Sequence, residues 1–299
     1  MPFVATLIGP PDGPALDDAV LGRVAGILGS AEPVWLAERI AADLSIPADG
    51  HLDCRHLASE VRGVLGGAPI DVVVQPAVQR RKRLFLADMD STMIEQECID
   101  ELADYVGLKP HVAAITERAM RGEIAFAPAL RERVALLKGL AISVVDEVIA
   151  EHITLTGGAR TLVQTMRAHG TQTCLVTGGF TLFSQRISAM IGFDESRANT
   201  LAVGADGKLT GEVVEPIFGR DGKLATLRAL TARLGLDPED TMATGDGAND
   251  LAMIEAAGLG VAFHAKPKVA QAAAARIDHG DLTALLYLQG YRRADFITD

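Results

Sequence analysis

Short apolar runs punctuate the chain, and several of them stop at a polar residue of an unusual kind. Phe3–Ile8 and the β-branched stretch Ile70–Val74 read as strands, and Leu16–Leu28 has apolar residues at helical spacing. These segments predict a small α/β unit over residues 1–78. Leu84-Phe85-Leu86-Ala87 has no polar alternation, as expected of a parallel strand buried on both faces, and it ends at Asp88. Helical patterns run from about Glu95 to His152, with a break at Gly107-Leu108-Lys109-Pro110. An alternating series follows. A helix at Ala159–His169 leads to a strand at Thr173–Val176, which ends at Thr177-Gly178-Gly179. A helix at Leu182–Ile191 comes next. Later, the strand Thr241-Met242-Ala243 ends at Thr244-Gly245-Asp246, followed by a helix at Leu251–Ala257 and a strand at Gly260–Ala262.

Strands alternating with helices predict an α/β fold: a Rossmann-like parallel sheet with helices on both faces. The Asp206-Gly207 pair between Leu201–Val203 and Leu209–Val213 predicts a hairpin. Ala270–Ala275 reads as helix, and the basic run Gln79-Arg80-Arg81-Lys82-Arg83 as a solvated linker. The division expected is a leader over 1–78, a linker over 79–83, a core over 84–94 and 155–299, and a helical insert over 95–154.

Composition narrows the function. Of 299 residues, 48% are hydrophobic but only 4% aromatic, so the core must rest on Leu, Ile, Val and Ala. A net charge of −11 argues against nucleic acid as a partner, yet a metal and a few basic side chains can still make one cleft attractive to a small anion. Cys54, Cys98 and Cys174 are odd in number and far apart, which predicts buried free thiols rather than a disulfide framework or a zinc site. No apolar run is long enough to cross a membrane, and Met1-Pro2-Phe3-Val4 lacks a basic, cleavable leader. The expectation is a cytoplasmic protein with no membrane partner.

Ligands of open parallel sheets bind outside the carboxyl ends of the strands. Asp88, Thr177 and Asp246 each fall at or just past such an end, so three distant segments should meet in one crevice. In Asp88-Met89-Asp90-Ser91-Thr92, two carboxylates one residue apart can divide two tasks, nucleophilic attack and proton transfer. Gly245-Asp246-Gly247-Ala248-Asn249-Asp250 offers a tight turn and hard oxygen ligands suited to Mg²⁺. Thr177-Gly178-Gly179 supplies a hydroxyl and backbone N–H groups for a phosphate, and Lys223 a candidate positive charge.

Taken in order, these four segments resemble the haloacid dehalogenase superfamily of aspartate-nucleophile phosphatases, over about 215 residues from Leu84 onward. The likeness extends to members acting on an amino-acid phosphate. It rests on Glu97, nine residues after Asp88; on Arg133 in Leu130-Arg131-Glu132-Arg133-Val134; on Phe126 just before that arginine's helix; and on His264-Ala265-Lys266-Pro267. The resemblance implies hydrolysis of O-phospho-L-serine through an aspartyl-phosphate at Asp88, with Asp90 as acid and base. It implies Mg²⁺ held by the Asp88 side chain, the Asp90 backbone carbonyl and the Asp246 side chain, with Asp250 behind a metal-bound water. Thr177, Gly178, Lys223 and Asn249 would bind phosphate, Glu97 and Arg133 the amino-acid end, with Thr92, Phe126 and Gly179 in support and the insert as a cap. Residues 1–78 resemble an amino-acid-binding (ACT-like) leader in α/β pattern alone, and their strands could pair two chains into a homodimer. Two other readings are a phosphatase or phosphotransferase for a different small molecule, and an amino-acid-sensing binding module.

Overall fold

Residues 2–13, 16–30, 32–47 and 52–298 are described by the structure, a computed structural model of the chain; Met1 and the other positions lie outside the described residues. The leader runs β1 (Phe3–Ile8), α1 (Asp18–Leu28), β2 (Val34–Ala37), β3 (Ala41–Ile46), α2 (Cys54–Leu65) and β4 (Asp71–Pro76). Its strands form one antiparallel sheet in the order β2-β3-β1-β4, a ferredoxin-like arrangement. α1 starts where the Asp17 carboxylate accepts from Val20 N–H and stops at Gly29, whose φ of 59° suits a residue without Cβ. Leu21, Val24, Val61 and Leu65 on α1 and α2 cover one face of the sheet, against Ala5, Leu7, Leu44 and Val72.

Side chains alternate across a strand, so the other sheet face carries Ile8, Ala41 and Val73, and these join the main core of the molecule. Arg80 clamps that junction. Its guanidinium donates to both Asp43 oxygens (2.6 and 3.1 Å), to Thr6 Oγ1 (3.0 Å), and to the carbonyls of Tyr287 (3.1 Å) and Leu288 (3.0 Å). Asp71, almost fully buried, accepts from the N–H groups of Asp278 (2.7 Å), His279 and Gly280 (2.7 Å). Lys82 is also buried. The expected solvated linker is therefore corrected: Arg80 and Lys82 are docking residues, because carbonyls from distant segments take their N–H groups.

The core sheet is parallel, in the order β12-β11-β10-β5-β6-β7. Its strands are β5 (Leu84–Ala87), β6 (Gln172–Phe180), β7 (Glu195–Asn199), β10 (Thr241–Gly245), β11 (Leu259–Phe263) and β12 (Ala275–Ile277). Leu84 and Leu86 face α9 (Arg220–Leu234), α10 (Leu251–Ala256) and α11 (Pro267–Ala272); Phe85 and Ala87 face α7 (Ala159–Ala168), α8 (Thr181–Ile191) and α12 (Ala284–Leu288). From β5 the chain builds outward through β6 and β7, then returns to build β10, β11 and β12 on the other side. The strand order thus reverses between β5 and β10. Two expectations change in detail: β6 continues through Thr177-Gly178-Gly179 to Phe180, and the Ala-rich stretch leaves helix at Ala273 to form β12.

Between β5 and α7 lie α3 (Cys98–Asp104), α4 (Lys109–Met120), α5 (Phe126–Ala135) and α6 (Val144–Glu151), the helical insert. The expected hairpin forms from β8 (Leu201–Val203) and β9 (Leu209–Val213), and it props the insert: Gly139 N–H donates to Leu209 O (2.8 Å) and Leu209 N–H to Leu140 O (2.8 Å). Cys98 and Cys174 are buried free thiols, and Cys54 is half-buried. Among the described residues no helix is long and apolar enough to cross a membrane.

Candidate active site

Asp88 follows the last residue of β5 and Asp246 the last residue of β10, so the two face each other where the strand order reverses. Asp88 N–H donates to Thr244 O (3.0 Å), extending the ladder by one residue, and its Oδ1 accepts from Met89 N–H (2.7 Å). Lys223, in the first turns of α9, is completely buried and lies 2.7 Å from Asp88 Oδ1 and 2.6 Å from Asp250 Oδ1. Asp250 also accepts from Gly247 N–H (3.1 Å), and Thr92 Oγ1 donates to Asp246 (3.3 Å). Ser91, at φ 54°, turns the chain sharply after Asp90, a strained conformation of the kind found at functional sites.

Carboxylates outnumber cations here. One oxygen each from Asp88, Asp246 and Asp250 lie within 4.8 Å of one another, all buried. Burial, and then the charges of Asp250, Glu97 and Asp88, hold the Asp246 carboxyl well above the usual carboxylate range. Burial and the Asp88 charge push Asp250 up to about 7 against the pull of Lys223. For Lys223 burial opposes the charged form, but Asp250 and Asp88 outweigh it and raise its value. Three hard oxygen donors with surplus negative charge are the donor set of a small divalent cation. Asn249 Oδ1, buried without a hydrogen-bond partner, adds an open acceptor beside them. The residues present fit such an ion. Both Asp250 oxygens already accept, from Lys223 Nζ (2.6 Å) and Gly247 N–H (3.1 Å), so Asp250 stands behind Asp88 and Asp246 in this trio, and the Asp90 carboxylate lies outside it.

Asp90 instead accepts from Cys98 N–H (2.8 Å) and Thr177 Oγ1 (3.0 Å). Burial, then the Asp88 charge, raises its carboxyl above the usual range, so it can hold a proton. Thr177 Oγ1 accepts from Gly179 N–H (2.8 Å), and a Cβ on Gly179 would sit 2.7 Å from Asp90 Oδ2. Glycine is required there because the carboxylate packs on the backbone.

One cavity joins these groups to the insert. Asp88, Asp90, Thr177, Gly178 and Asn249 of the core line it, together with Glu97, Phe126 and Arg133 of the insert. Glu97, the residue preceding α3, accepts from Ser91 Oγ (2.8 Å); burial, then the Asp90 charge, pushes its carboxyl well above the usual range. Arg133, 2% exposed on α5, donates to Ala129 O (3.1 Å) and Thr116 Oγ1 (2.8 Å). Phe126 opens α5 rather than preceding it, and its ring lies across the backbone of Gly178 and Gly219. All the residues singled out in the sequence thus gather around one crevice.

Three supporting residues escaped the sequence reading. Asn199, at the carboxyl end of β7, donates to Gly178 O (2.8 Å) and Phe218 O (2.8 Å) and accepts from Phe218 N–H (2.6 Å), bracing the turn under the crevice. Its place beyond a strand end was the only signal. Thr116 connects Arg133 to Asp100 by donating to Asp100 Oδ1 (2.7 Å). Lys266 donates its N–H to Asp246 O (3.0 Å) and its ammonium to Glu117 on α4 (2.9 Å). It had been noticed only as part of a motif, and it ties the insert to the Asp246 loop.

The family model for haloacid dehalogenase-like hydrolases matches residues 85–255, from β5 to the end of α10. One family accounts for the crevice and the insert together, and the chain belongs to the haloacid dehalogenase-like hydrolases. Within that family its likeness is to the phosphoserine phosphatases. A phosphoserine phosphatase of Polaromonas sp. is 47% identical over 211 residues, covering 69% of this chain and 89% of the relative. Another, from Streptomyces coelicolor, is 45% identical over 239 residues, 80% of this chain but 57% of the relative, so the chain spans a little over half that relative's length. A haloacid dehalogenase family hydrolase from Salmonella enterica serovar Typhi shares the fold over 96% of this chain and 98% of its own, at a TM-score of 0.84 and 29% identity.

Proposed function

We propose that the chain hydrolyses O-phospho-L-serine to L-serine and phosphate through an aspartyl-phosphate on Asp88. The observation that carries this reading is one cavity lined both by the Asp88–Asp90 pair and by Glu97 and Arg133 of the insert. A phosphate monoester of an α-amino acid has matching chemistry: a phosphoryl group for the Asp88–Asp90 pair, an ammonium for Glu97, and a carboxylate for the two-pronged Arg133.

In this mechanism Asp88 attacks phosphorus while Lys223, paired with its carboxylate, orients it. The proton carried by Asp90 passes to the departing serine oxygen. Asp90, now ionised, takes a proton from the water that hydrolyses the aspartyl-phosphate. Thr177, the Gly178 N–H and Asn249 bind the phosphoryl oxygens. Mg²⁺, with Asp88, Asp246 and the Asp90 backbone carbonyl as ligands and Asp250 behind them, would supply positive charge against the phosphoryl oxygens. The insert, residues 95–154, acts as a cap that excludes water around the reacting groups. Residues 84–94 and 155–299 form the catalytic core, and residues 1–78 an ACT-like leader. With the activity go a cytoplasmic location and a place in serine biosynthesis.

A phosphate-release screen over O-phospho-L-serine, O-phospho-L-threonine and sugar phosphates, with and without Mg²⁺, tests this. Phosphoserine should lead by a wide margin, and Asp88→Asn should release no phosphate. Preference for a sugar phosphate would refute the substrate, and an active Asp88→Asn variant the nucleophile.

A further inference from the structure

A second cavity, of about 630 Å³, lies where the leader meets the core. That volume is in the range of small-molecule sites, which favour domain junctions. Its inner wall is apolar, with Val73 of β4, Ile254 of α10 and Leu259 of β11, all buried. Two buried polar side chains interrupt it, Gln75 and Lys82. The Lys82 ammonium donates to Gln79 O (3.0 Å) and Glu239 O (2.7 Å), both uncharged carbonyls, and among the described residues it makes no ion pair. An ammonium has three donors, so one is left. A buried cation without a direct ion pair is unusual, since buried charges are as a rule paired. Arg55, Glu239 and Glu255 also line the cavity, but all three are exposed at its rim and solvated.

We propose that this cavity binds a small organic anion with an apolar body, a monocarboxylate, whose carboxylate pairs with Lys82 while its hydrocarbon part lies against Val73, Ile254 and Leu259. Burial lowers the Lys82 amine, with Glu239 and Asp240 opposing, and a bound carboxylate would relieve that penalty. Occupancy reaches the crevice by a short route. Ile254 N–H donates to Asp250 O (3.0 Å), so the ligand rests on the same helical turn that presents Asp250 to Lys223. Leu259 pairs with Met242 of β10, the strand that ends at Asp246. The site is therefore an effector site, and filling it shifts the KM of the reaction at the crevice.

Calorimetric titration of the whole chain with hexanoate, 4-methylpentanoate, hexanamide and hexylamine tests the binding arm, which holds whatever the chain's substrate. Both carboxylates should bind, with the amide and amine at least about tenfold weaker, as loss of one charge-assisted contact implies. Lys82→Met should remove the preference for carboxylate. Ala274→Trp, at the exposed rim, should block the cavity and abolish binding of both carboxylates; it serves also if Lys82→Met fails to fold. Equal affinity for acid and amide, no heat with any probe, or undiminished binding in Ala274→Trp would overturn the site. Binding that leaves the KM for O-phospho-L-serine unmoved would overturn the link to Asp250.

Discussion

Replacing Gly178 by alanine tests how the helical insert reaches the crevice. An added Cβ would stand 2.6 Å from Phe126 Cζ and 3.1 Å from Cε2. Ordinary carbon contacts lie at about 3.5–4.0 Å, so the overlap is roughly 1 Å. The ring has little room to swing aside, because a Cβ built on Gly219 would meet it at 3.1 Å from Cδ1. The strain passes instead to α5, which carries Arg133 seven residues on from Phe126. Overpacking of this kind costs about 1–3 kcal/mol, or roughly 5- to 150-fold in kcat/KM if it falls on closure of the cap. The assay is steady-state phosphate release from O-phospho-L-serine beside an aryl phosphate that does not use Arg133. Phosphoserine turnover should fall within that range and the aryl phosphate should change little, since alanine keeps the N–H at position 178. Phe126→Leu in the same chain removes the clashing atoms and should restore most of the loss. Equal losses for both substrates, or no recovery in the double variant, would refute the reasoning.

Arg133→Ala should lower kcat/KM for phosphoserine by roughly 30-fold or more, about 2 kcal/mol for a buried charged contact, with little change for the aryl phosphate. Arg80→Ala strands Asp43 at the leader junction, and denaturant unfolding should read a loss of about 3 kcal/mol. Glu117, drawn below the usual range chiefly by its hydrogen bond to Lys266, gives stability that is present above its ordinary value of 4.5 and lost as pH falls through the lower folded-state value. Melting curves of wild type and Glu117→Gln should therefore differ near neutrality, by at most about 1 kcal/mol for so exposed a pair, and coincide in acid.

Sequence exposed the crevice more fully than the junction beside it. Asp88 was legible because β5 is an unbroken apolar run and an acid at its end stands out, and Asp246 because a Gly-Asp-Gly turn follows a short strand. Glu97 and Arg133 carried no such local mark and were found through the family resemblance. β2, β3 and α2 were missed: β2 is a short edge strand, and β3 opens on two alanines with a half-buried Asp43 in its middle. Whether Arg80 is solvated or buried depends on the carbonyls of Tyr287 and Leu288, more than 200 residues away, so nothing near it in sequence could tell. Ala275 joined a strand because β11 offered it a parallel partner, a choice made by tertiary pairing rather than by the alanine-rich composition.

The face by which the leader docks has a bearing on how such proteins change length over evolution. Ile8 and Ile40 share a crevice with Ala284 and Tyr287, so the core's outer helix is apolar where the leader rests on it. Cutting the leader from this chain would expose that patch and leave Asp278, His279 and Gly280 without the Asp71 carboxylate. A shorter relative that lives without a leader must carry polar residues at the positions of Ala284 and Tyr287. Gain or loss of the leader is thus a change of surface chemistry on α12 as much as a change at the end of a gene, and a truncated form of this chain should aggregate until those positions are rewritten.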